Sequence, residues 1–593
     1  MKEITRKLLI LFNKKEKRKL ALLLFMMVLA AIFETIGIGL IAPIVGLVTN
    51  PDIIKEQRFL KNIYELFHLQ STTEFIVLSV VTLLIVFVMK NVYLLVFQYV
   101  QFRMILNQQV KLSRELFKEY LTKPYTFHLQ RNTSELLRNI NSEVPKVYQG
   151  IIMSSFQLFT EILVITCILV LLIVTAPIAT VTASILLGGS IFVFFRFFRK
   201  KITQIGVEQQ KVGGAMIKWV NQGLGASKEV KVSGRESFFI NAYTGQSQIN
   251  VNNSRYMNML NQIPRLFIET LLVSIVLITM LIIVFQGKSS TQLVSTMALF
   301  TMAAFRLMPS ITRIVALITS IRFNQPALSI IYEDLFLNKE DDLNSNNIPD
   351  DGPVAVNQGK RVFYDSIKLH DVSFRYPNKK EYSVRDVSLT IPIGQSVAFI
   401  GESGAGKTTL VDIILGLFRP EKGRVLIDGK NLVEQKALWQ QKIGYIPQSI
   451  FLSDDTIRGN VAFGIESGQI DDEDVWRALE QAQLKEFVEA LPDKLGASVG
   501  ERGVRLSGGQ RQRIGIARAL YHNPEILFMD EATSALDNET EKEIMKAIDG
   551  LKGEKTLIII AHRLSTIENC DIVFKINNGR LAAVEKKLGR SAM

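Results

Sequence analysis

The chain has 593 residues, 48% of them hydrophobic, which is too long for one ordinary domain and too apolar for a typical soluble protein. Two cysteines and five histidines, without an H-E-x-x-H pattern, exclude a disulfide scaffold, a cysteine-based zinc site and a zinc hydrolase. The net charge of +13 is uneven, because residues 1–330 hold 35 Lys and Arg against 16 Asp and Glu, whereas the remainder holds 34 against 40. The basic excess therefore lies beside the long apolar runs, which favours membrane loops and argues against a nucleic-acid partner.

Six apolar segments in the first half of the chain are each long enough to cross a bilayer, which takes about 20 residues. They are predicted at about 20–48, 73–99, 147–174, 178–198, 263–286 and 291–318. The first segment follows the basic run KKEKRK and lacks a small-residue cleavage site, so we interpret it as a retained span and not as a signal peptide. These runs predict an all-α transmembrane domain over residues 1–330.

Lys and Arg are concentrated in alternate connecting segments of this domain. They number 8, 8 and 9 in residues 1–19, 100–146 and 199–262, but 3, 0 and 1 in residues 49–72, 175–177 and 287–290. Because basic loops stay on the cytoplasmic side, the pattern places the N-terminus, both long loops and everything after residue 319 in the cytoplasm. It predicts a multi-pass protein of the inner or plasma membrane.

The composition changes after the membrane half. Residues 331–360 are polar and rich in Asn, Asp, Pro and Gly, which predicts a linker. In residues 361–593, short β-rich runs alternate with amphipathic helices, as is typical of an α/β domain.

A phosphate-binding loop is predicted early in the α/β domain. The run SVAFIGESGAGKTTLVDIILGLF gives a strand, a loop fitting G-x-x-x-x-G-K-[ST], and a helix. Backbone N–H groups of such a loop and the helix N-terminus cradle phosphates, Lys407 reaches the β- and γ-phosphates, and Thr408 offers its hydroxyl to Mg²⁺. The predicted ATP-binding residues here are Gly401, Glu402, Ser403, Gly404, Ala405, Gly406, Lys407, Thr408 and Thr409.

A pair of carboxylates ends the later apolar strand ILFMDE. Asp530 at the strand tip is predicted to hold Mg²⁺ through water, and Glu531 to act as general base on the attacking water.

Further motifs around these two sites stand in a fixed order. LSGGQ, followed by RQRIGIARAL, comprises Leu506, Ser507, Gly508, Gly509 and Gln510. VSFRYP contains Tyr376, YIPQ contains Gln448, AHRLS contains His562, SVGERG spans 498–503, and ATSALD includes 534–537. With this set, the chain resembles the ATP-binding cassette family, and with its membrane half it resembles a half-transporter of the exporter type. The implied fold class is a membrane all-α six-helix exporter domain fused to an α/β P-loop ATPase.

The resemblance implies roles for these residues. Tyr376 would stack on adenine, Gln448 would act in catalysis and at the metal, and His562 would be the catalytic switch histidine. The LSGGQ signature would bind the ATP of a second cassette, so a homodimer with ATP and Mg²⁺ at two sites is the simplest assembly. The turns near 122–128 and 221–228 would be coupling helices, the second docking on the partner chain. The C-terminal LAAVEKKLGRSAM departs from the family's usual G-x-H/Y-x-E-L run.

The cargo is predicted from three features. Residues 51–70 form an amphipathic pattern for a helix at the outer membrane surface, which resembles the lipid-linked oligosaccharide flippases. Arg306 and Arg313, seven residues apart in the last span, could form with Arg265 and Lys90 a basic belt for pyrophosphate. The segment FRLMPS resembles the sixth helix of the same flippases. An amphiphilic, lipid-linked substrate is therefore predicted.

Several alternatives stay open. Glu34, Glu161 and Glu269 could instead serve cationic cargo in a general exporter of drugs or lipids. A peptide exporter is another possibility within the family. An ATP-gated channel or regulatory subunit is the alternative from a different class, but it would be expected to have degenerate catalytic positions, whereas Ser507, Glu531 and His562 are all present.

Overall fold

The computed structural model describes residues 14–49, 64–65, 71–175, 177–285, 290–337, 362–530, 538–561, 567 and 569–586, apart from some side chains within the helices. The chain forms two compact units. The helical unit comprises Met1–Lys123 and Arg131–Asn346, and the α/β unit comprises Pro124–Gln130 and Asn347–Met593. A short segment encoded within the membrane half therefore belongs to the α/β unit.

Long helices build the first part of the chain. They are α1 (Lys14–Gly39), α2 (Ile41–Thr49), α3 (Thr72–Thr122), α4 (Tyr125–Gln130), α5 (Thr133–Arg138), α6 (Ser154–Thr175), α7 (Pro177–Gly225), α8 (Ser227–Ser233), α9 (Glu236–Phe285) and α10 (Ser290–Tyr332). The π-helical turns Asn139–Glu143 and Lys146–Met153 lie between α5 and α6, and a further one, Glu333–Leu337, follows α10. Of these helices, α4 is the segment that belongs to the α/β unit.

Four stretches of the described residues are long and apolar enough to cross a membrane: Lys14–Gly37, Thr72–Thr122, Thr133–Val174 and Leu307–Phe336. The predicted spans 178–198 and 263–286 lie on α7 and α9, where several side chains are outside the described residues. The chain stays helical to residue 337, past the predicted start of the linker, and residues 338–360 lie outside the description. So does the predicted surface helix at 51–70, except for Tyr64 and Glu65, which are helical.

The helices of the helical unit bury small and branched side chains against one another and leave large apolar ones outside. Ala31, Ile168, Ile268 and Ile311 bring α1, α6, α9 and α10 into one core. Outward-facing apolar side chains suit contact with lipid, whereas small residues allow helices to approach closely. Gly206 of α7 is such a position, because a Cβ there would lie 2.1 Å from the carbonyl oxygen of Phe323.

A buried polar cluster, the Asp334 cluster, joins helix ends within the helical unit. Tyr120 Oη donates to Asp334 Oδ2 at 2.6 Å, and Asn139 Nδ2 donates to the same oxygen at 3.0 Å. Arg131 Nη2 lies 3.6 Å from Asp334 Oδ1. A buried carboxylate needs such donors to offset its desolvation. The cluster therefore fixes the end of the last long helix to the helices on either side of α4.

The α/β unit contains two sheets. Its strands are β1 (Ser366–Phe374), β2 (Val384–Pro392), β3 (Ser396–Ile400), β4 (Lys422–Ile427), β5 (Lys430–Asn431), β6 (Ile443–Ile446), β7 (Ile526–Asp530), β8 (Thr556–Ile560), β9 (Ile572–Asn577) and β10 (Arg580–Lys586). Its helices after α4 are α11 (Lys407–Ile414), α12 (Lys436–Lys442), α13 (Ile457–Val461), α14 (Asp472–Gln481), α15 (Lys485–Glu489), α16 (Gly508–Leu520) and α17 (Asn538–Asp549). One sheet has the antiparallel order β2-β1-β4-β5, and the other has the order β10-β9-β3-β8-β7-β6.

The second sheet brings several strand ends to one edge. Strands β9, β3, β8, β7 and β6 pair in parallel, with Phe399 opposite Ile560 and Met529 opposite Ile446. Their alternating side chains fill two cores, one on each face, as buried parallel sheets require. The carboxyl ends of parallel strands meet at one edge, which is where open α/β sheets bind ligands.

Candidate functional site

The phosphate loop follows the buried strand β3 and leads into α11. Lys407, which is 5% exposed, donates its Nζ hydrogens to the carbonyl oxygens of Gly401 at 2.9 Å and Glu402 at 3.0 Å. Gly406 has a φ of +97°, and a Cβ there would lie 2.4 Å from Ser383 O, so only glycine fits. The lysine ammonium thus lies inside a loop of backbone groups, as a phosphate site requires.

Oxygen donors stand at the same edge of the sheet. Asp530 ends β7 and is 9% exposed, Gln448 follows β6 and is exposed, and Thr408 is exposed at the start of α11. A carboxylate, an amide oxygen and a hydroxyl are hard ligands that fit Mg²⁺, which usually keeps several waters. The predicted catalytic residues Glu531 and His562 lie outside the described residues, as does the segment 534–537.

Asp412 is a further acid at this edge, and the sequence reasoning missed it. Burial, together with the charge of Asp530, raises the pKa of Asp412 to about 6. Burial and the charges of Asp530 and Asp412 also raise the pKa of Tyr445 at the end of β6. Asp412 follows Thr408 by four residues on α11, so both lie on one helix face. That spacing was the signal available in the sequence.

Replacing Asp412 by Asn is expected to stabilise the α/β unit more at pH 8 than at pH 5. The raised pKa means that the folded state holds the Asp412 proton more tightly than the unfolded state does. Protonated Asp412 therefore contributes stability that is fully present below about pH 4 and is lost as pH rises through about 6. Asparagine carries no charge at either pH, so the variant does not lose stability in this way. Thermal unfolding midpoints at the two pH values test this, with the exposed Asp454→Asn as control. An equal shift at both pH values would contradict it.

An aromatic group surrounds the predicted adenine residue Tyr376. Its hydroxyl shares a 3.0 Å hydrogen bond with Thr409 Oγ1 on α11. Its ring lies edge-on to Phe418, with centroids 5.6 Å apart, and Phe418 in turn lies 5.8 Å from the ring of Tyr125 on α4. The predicted first coupling segment thus has an aromatic contact inside the α/β unit, through Phe418, which the sequence did not single out.

The signature begins α16. Ser507 is the N-cap: its Oγ accepts from Gln510 N at 3.2 Å, while Gln510 Oε1 accepts from Ser507 N at 2.8 Å. This reciprocal capping box fixes the first turn, with Leu506 buried and with Ser507 and Gly508 exposed. Free N–H groups at the start of a 13-residue helix are suited to an anion.

The predicted second coupling turn, near 221–228, contains a break between two helices. Helix α7 continues to Gly225, and the break falls at Ala226 before α8. Gly234, with a φ of +60°, then caps α8.

Two of the predicted cargo-binding cations form ion pairs with acids that the alternative hypothesis assigns to cationic cargo. Arg313 Nε lies 3.0 Å from Glu161 Oε1, and Lys90 Nζ lies 3.5 Å from Glu34 Oε2. The Arg313 side chain is still 51% exposed, whereas that of Glu161 is 10% exposed. Arg265 and Glu269 are exposed on α9, and the side chain of Arg306 lies outside the description. Two cations of the proposed belt are therefore partly neutralised by buried carboxylates.

Comparison with known proteins agrees with this architecture. Residues 384–534 match the family described as ABC transporter, and residues 36–309 match the ABC transporter transmembrane region. The ATP-dependent lipid A-core flippase of Saccharophagus degradans is 32% identical over 484 residues, which cover 80% of this chain and 78% of that protein. ABC transporter B family member 21 of Arabidopsis thaliana is 42% identical over 222 residues, which cover 37% of this chain and 17% of that protein.

A solved structure shows the same fold. It is the structure of a bacterial Atm1-family ABC exporter with ATP bound. The two structures superpose with a TM-score of 0.76 over 97% of this chain and 96% of that exporter chain, at 23% sequence identity. The predicted fold class, a helical membrane region joined to an α/β ATPase, is confirmed. The chain therefore belongs to the ABC transporter family, as a multi-pass membrane exporter of the half-transporter type whose ATPase activity is coupled to transport.

Proposed function

We propose that this exporter flips a lipid whose head group carries a pyrophosphate-linked glycan. The relatives named ATP-dependent lipid A-core flippase support a lipid cargo. The exporter would act as a homodimer in the inner membrane, with its N-terminus and α/β unit in the cytoplasm, as the distribution of Lys and Arg indicates. A general exporter of lipids or drugs, or a peptide exporter, is the alternative.

The observation that carries the lipid-anion proposal is the environment of Arg313. An ionised side chain on a membrane helix is costly and commonly serves a polar pathway. The buried carboxylate of Glu161 orients the guanidinium through Nε, and half of the side chain surface stays accessible. The two terminal nitrogens of an arginine held in this way suit the oxygens of a phosphate, which accept paired hydrogen bonds.

The ATPase residues are assigned by the same proposal. Thr408, Gln448 and Asp530 would hold Mg²⁺, which when bound neutralises charge on the ATP phosphates. Lys407 would bind the β- and γ-phosphates, Tyr376 would stack on adenine, and Glu531 would take the proton of the attacking water. His562 and the signature of the partner chain would contact the γ-phosphate.

Replacing Arg313 by Ala is expected to lower flipping at least tenfold, while basal ATP turnover stays within about twofold, because a charge-assisted contact to the head group is lost. Flipping of a fluorescent polyprenyl-pyrophosphate-linked sugar in proteoliposomes measures this, beside export of a cationic dye. Arg103→Ala, an exposed position on α3, is the matched control.

The single substitution also leaves Glu161 buried without its partner. The double variant Arg313→Ala with Glu161→Gln removes that unpaired charge, so its folding should recover while flipping stays low. Normal flipping by the double variant would overturn the proposed role of Arg313. Loss of dye export in Glu161→Gln, with normal lipid flipping, would favour the general exporter.

A further inference from the structure

An open, groove-like cavity of about 870 Å³ lies along α7 in the helical unit, and Arg322 of α10 completes its lining. Five cationic side chains line it, against one carboxylate: Arg199, Lys200, Lys201, Lys211 and Arg322 against Glu208. The volume lies within the range of small-molecule sites, which is about 300–1,000 Å³. The cavity is therefore large enough for a phosphate-bearing head group and strongly positive.

The cations of this cavity are not neutralised locally. Among the residues that the structure describes, none of the five forms an ion pair within 4.0 Å, although Glu34, Glu143 and Glu161 elsewhere in the same unit are all paired. Like charges from α7 and α10 face the same space. Such an arrangement costs free energy unless an anion occupies it.

Arg322 supplies a second and independent observation. Its Nε is buried and has no hydrogen-bond partner among the described residues. The guanidinium lies 5.9 Å from the ring centroid of Phe195, which covers it without accepting a normal hydrogen bond. A buried guanidinium N–H without an acceptor is unfavourable, so an anion beside the partly exposed guanidinium would stabilise the charge of Arg322.

The wall that holds Arg322 is closely packed. The next residue, Phe323, approaches Gly206 of α7 so tightly that a Cβ on that glycine would lie 2.1 Å from its carbonyl oxygen. Ile202 and Ile205 are buried in the same contact. The two helices therefore hold the cations of α7 and Arg322 at a fixed separation, as a preformed binding site requires.

The position of the cavity along α7 points to a lipid. Its cations begin at Arg199, four residues after the apolar run SIFVFF ends at Phe195 and two residues after Phe197, which is 75% exposed. Basic residues at the end of a span lie at head-group depth, where they attract anionic lipids. Arg313 lies nine residues before Arg322 on α10, about 13 Å along the helix axis, so this site is separate from the one proposed for cargo.

We infer that this cavity binds the phosphate group of an anionic lipid in the adjacent leaflet, with Arg322 and Lys201 as its principal contacts. The bound lipid would neutralise the facing cations of α7 and α10 and would stabilise their packing. The inference stands on the geometry of this cavity and does not depend on the identity of the transported cargo.

Delipidated transporter in detergent can test this by native mass spectrometry. We expect short-chain phosphatidylglycerol to bind at least fivefold more tightly than phosphatidylcholine of the same chain length, with affinity falling as salt rises. Arg322→Gln and Lys201→Gln should each reduce that preference at least threefold, and Arg322→Lys should restore part of it. The exposed Lys228→Gln on α8 removes the same charge and should keep the preference.

Inorganic pyrophosphate added in competition separates two sources of phosphate. Failure of pyrophosphate to displace phosphatidylglycerol supports a lipid ligand, whereas displacement at equal concentration would show a site for soluble phosphates and would overturn the lipid assignment. Equal binding of both lipids, or an unchanged preference in both Arg322→Gln and Lys201→Gln, would overturn the site itself. Lys201 is exposed, so its variant should fold even if Arg322→Gln does not.

Discussion

Replacing Glu531 by Gln is expected to reduce ATP turnover at least a hundredfold while ATP binding stays within about threefold, because general-base catalysis contributes about 10²–10⁴. The reason lies in the strand that precedes it. Asp530 ends the buried strand β7 at the edge that carries the phosphate loop, and Glu531 is the next residue. The amide keeps the shape of the carboxylate but cannot take a proton from water. Phosphate release and binding of a fluorescent ATP analogue measure the two quantities.

The control for this experiment is Glu434→Gln, which changes an exposed carboxylate of the same unit. It should turn over ATP at the wild-type rate. The Glu531→Gln protein should also retain unhydrolysed ATP after rapid gel filtration, because the closed dimer would be trapped. Turnover above about a tenth of wild type would show that another group accepts the proton.

Two lesions placed in different chains of one dimer are expected to leave one working ATP site. Lys407→Ala removes the phosphate-loop cation, and Ser507→Arg puts a bulky side chain at the exposed N-cap of α16. If each site joins the loop of one chain to the signature of the other, a dimer of these two variants has one intact site and one doubly damaged site. We expect measurable single-turnover hydrolysis there, but transport below about a tenth of wild type, because alternating action needs both sites.

The matched control puts both lesions in one chain and pairs it with a wild-type chain. Each composite site then carries one lesion, so hydrolysis should vanish. The same two dimers give the opposite results if each chain uses its own loop and signature. Doubly tagged dimers purified by sequential affinity steps make this comparison possible. Hydrolysis in the second dimer without hydrolysis in the first would overturn the composite site.

Local patterns allowed the strand, loop and helix around the predicted ATP site to be predicted. The phosphate loop needs a strand, glycines and the start of a helix in unbroken order, so residues 396–414 contain the complete strand–loop–helix unit. The capping box of Ser507 and Gln510 is likewise visible in four residues. Parallel pairing of β6, β7 and β8 then brings the ends of these three strands to one edge, as the α/β pattern predicts.

Contacts between distant residues could not be predicted in the same way. Asp412 was on the correct helix face, but its proximity to Asp530 depends on how α11 packs against β7. Phe418 gains its place between Tyr376 and Tyr125 through a segment nearly 300 residues earlier in the chain. Burial and partners of this kind are properties of the tertiary fold and leave no periodic signal.

The membrane half shows the same limit. In the sequence, its basic residues supported a lipid with an anionic head group, whereas its acidic residues supported the alternative of a cationic cargo. The fold pairs Arg313 with Glu161 and Lys90 with Glu34, across helices whose registers no hydropathy pattern specifies. The positive charges after residue 198 were interpreted only as a sign that this loop is cytoplasmic. The cavity that they line could not be predicted, because its fifth cation, Arg322, comes from another helix.

The Asp334 cluster has a mechanical consequence. The chain passes between the two units at three places, 123/124, 130/131 and 346/347. On the helical unit's side, Tyr120 stands just before the first passage, Arg131 at the second and Asp334 before the third, and the Asp334 carboxylate contacts both Tyr120 and Arg131. Within the helical unit, these three chain segments are therefore tied to one carboxylate, so a displacement of any one of them would be shared by the other two.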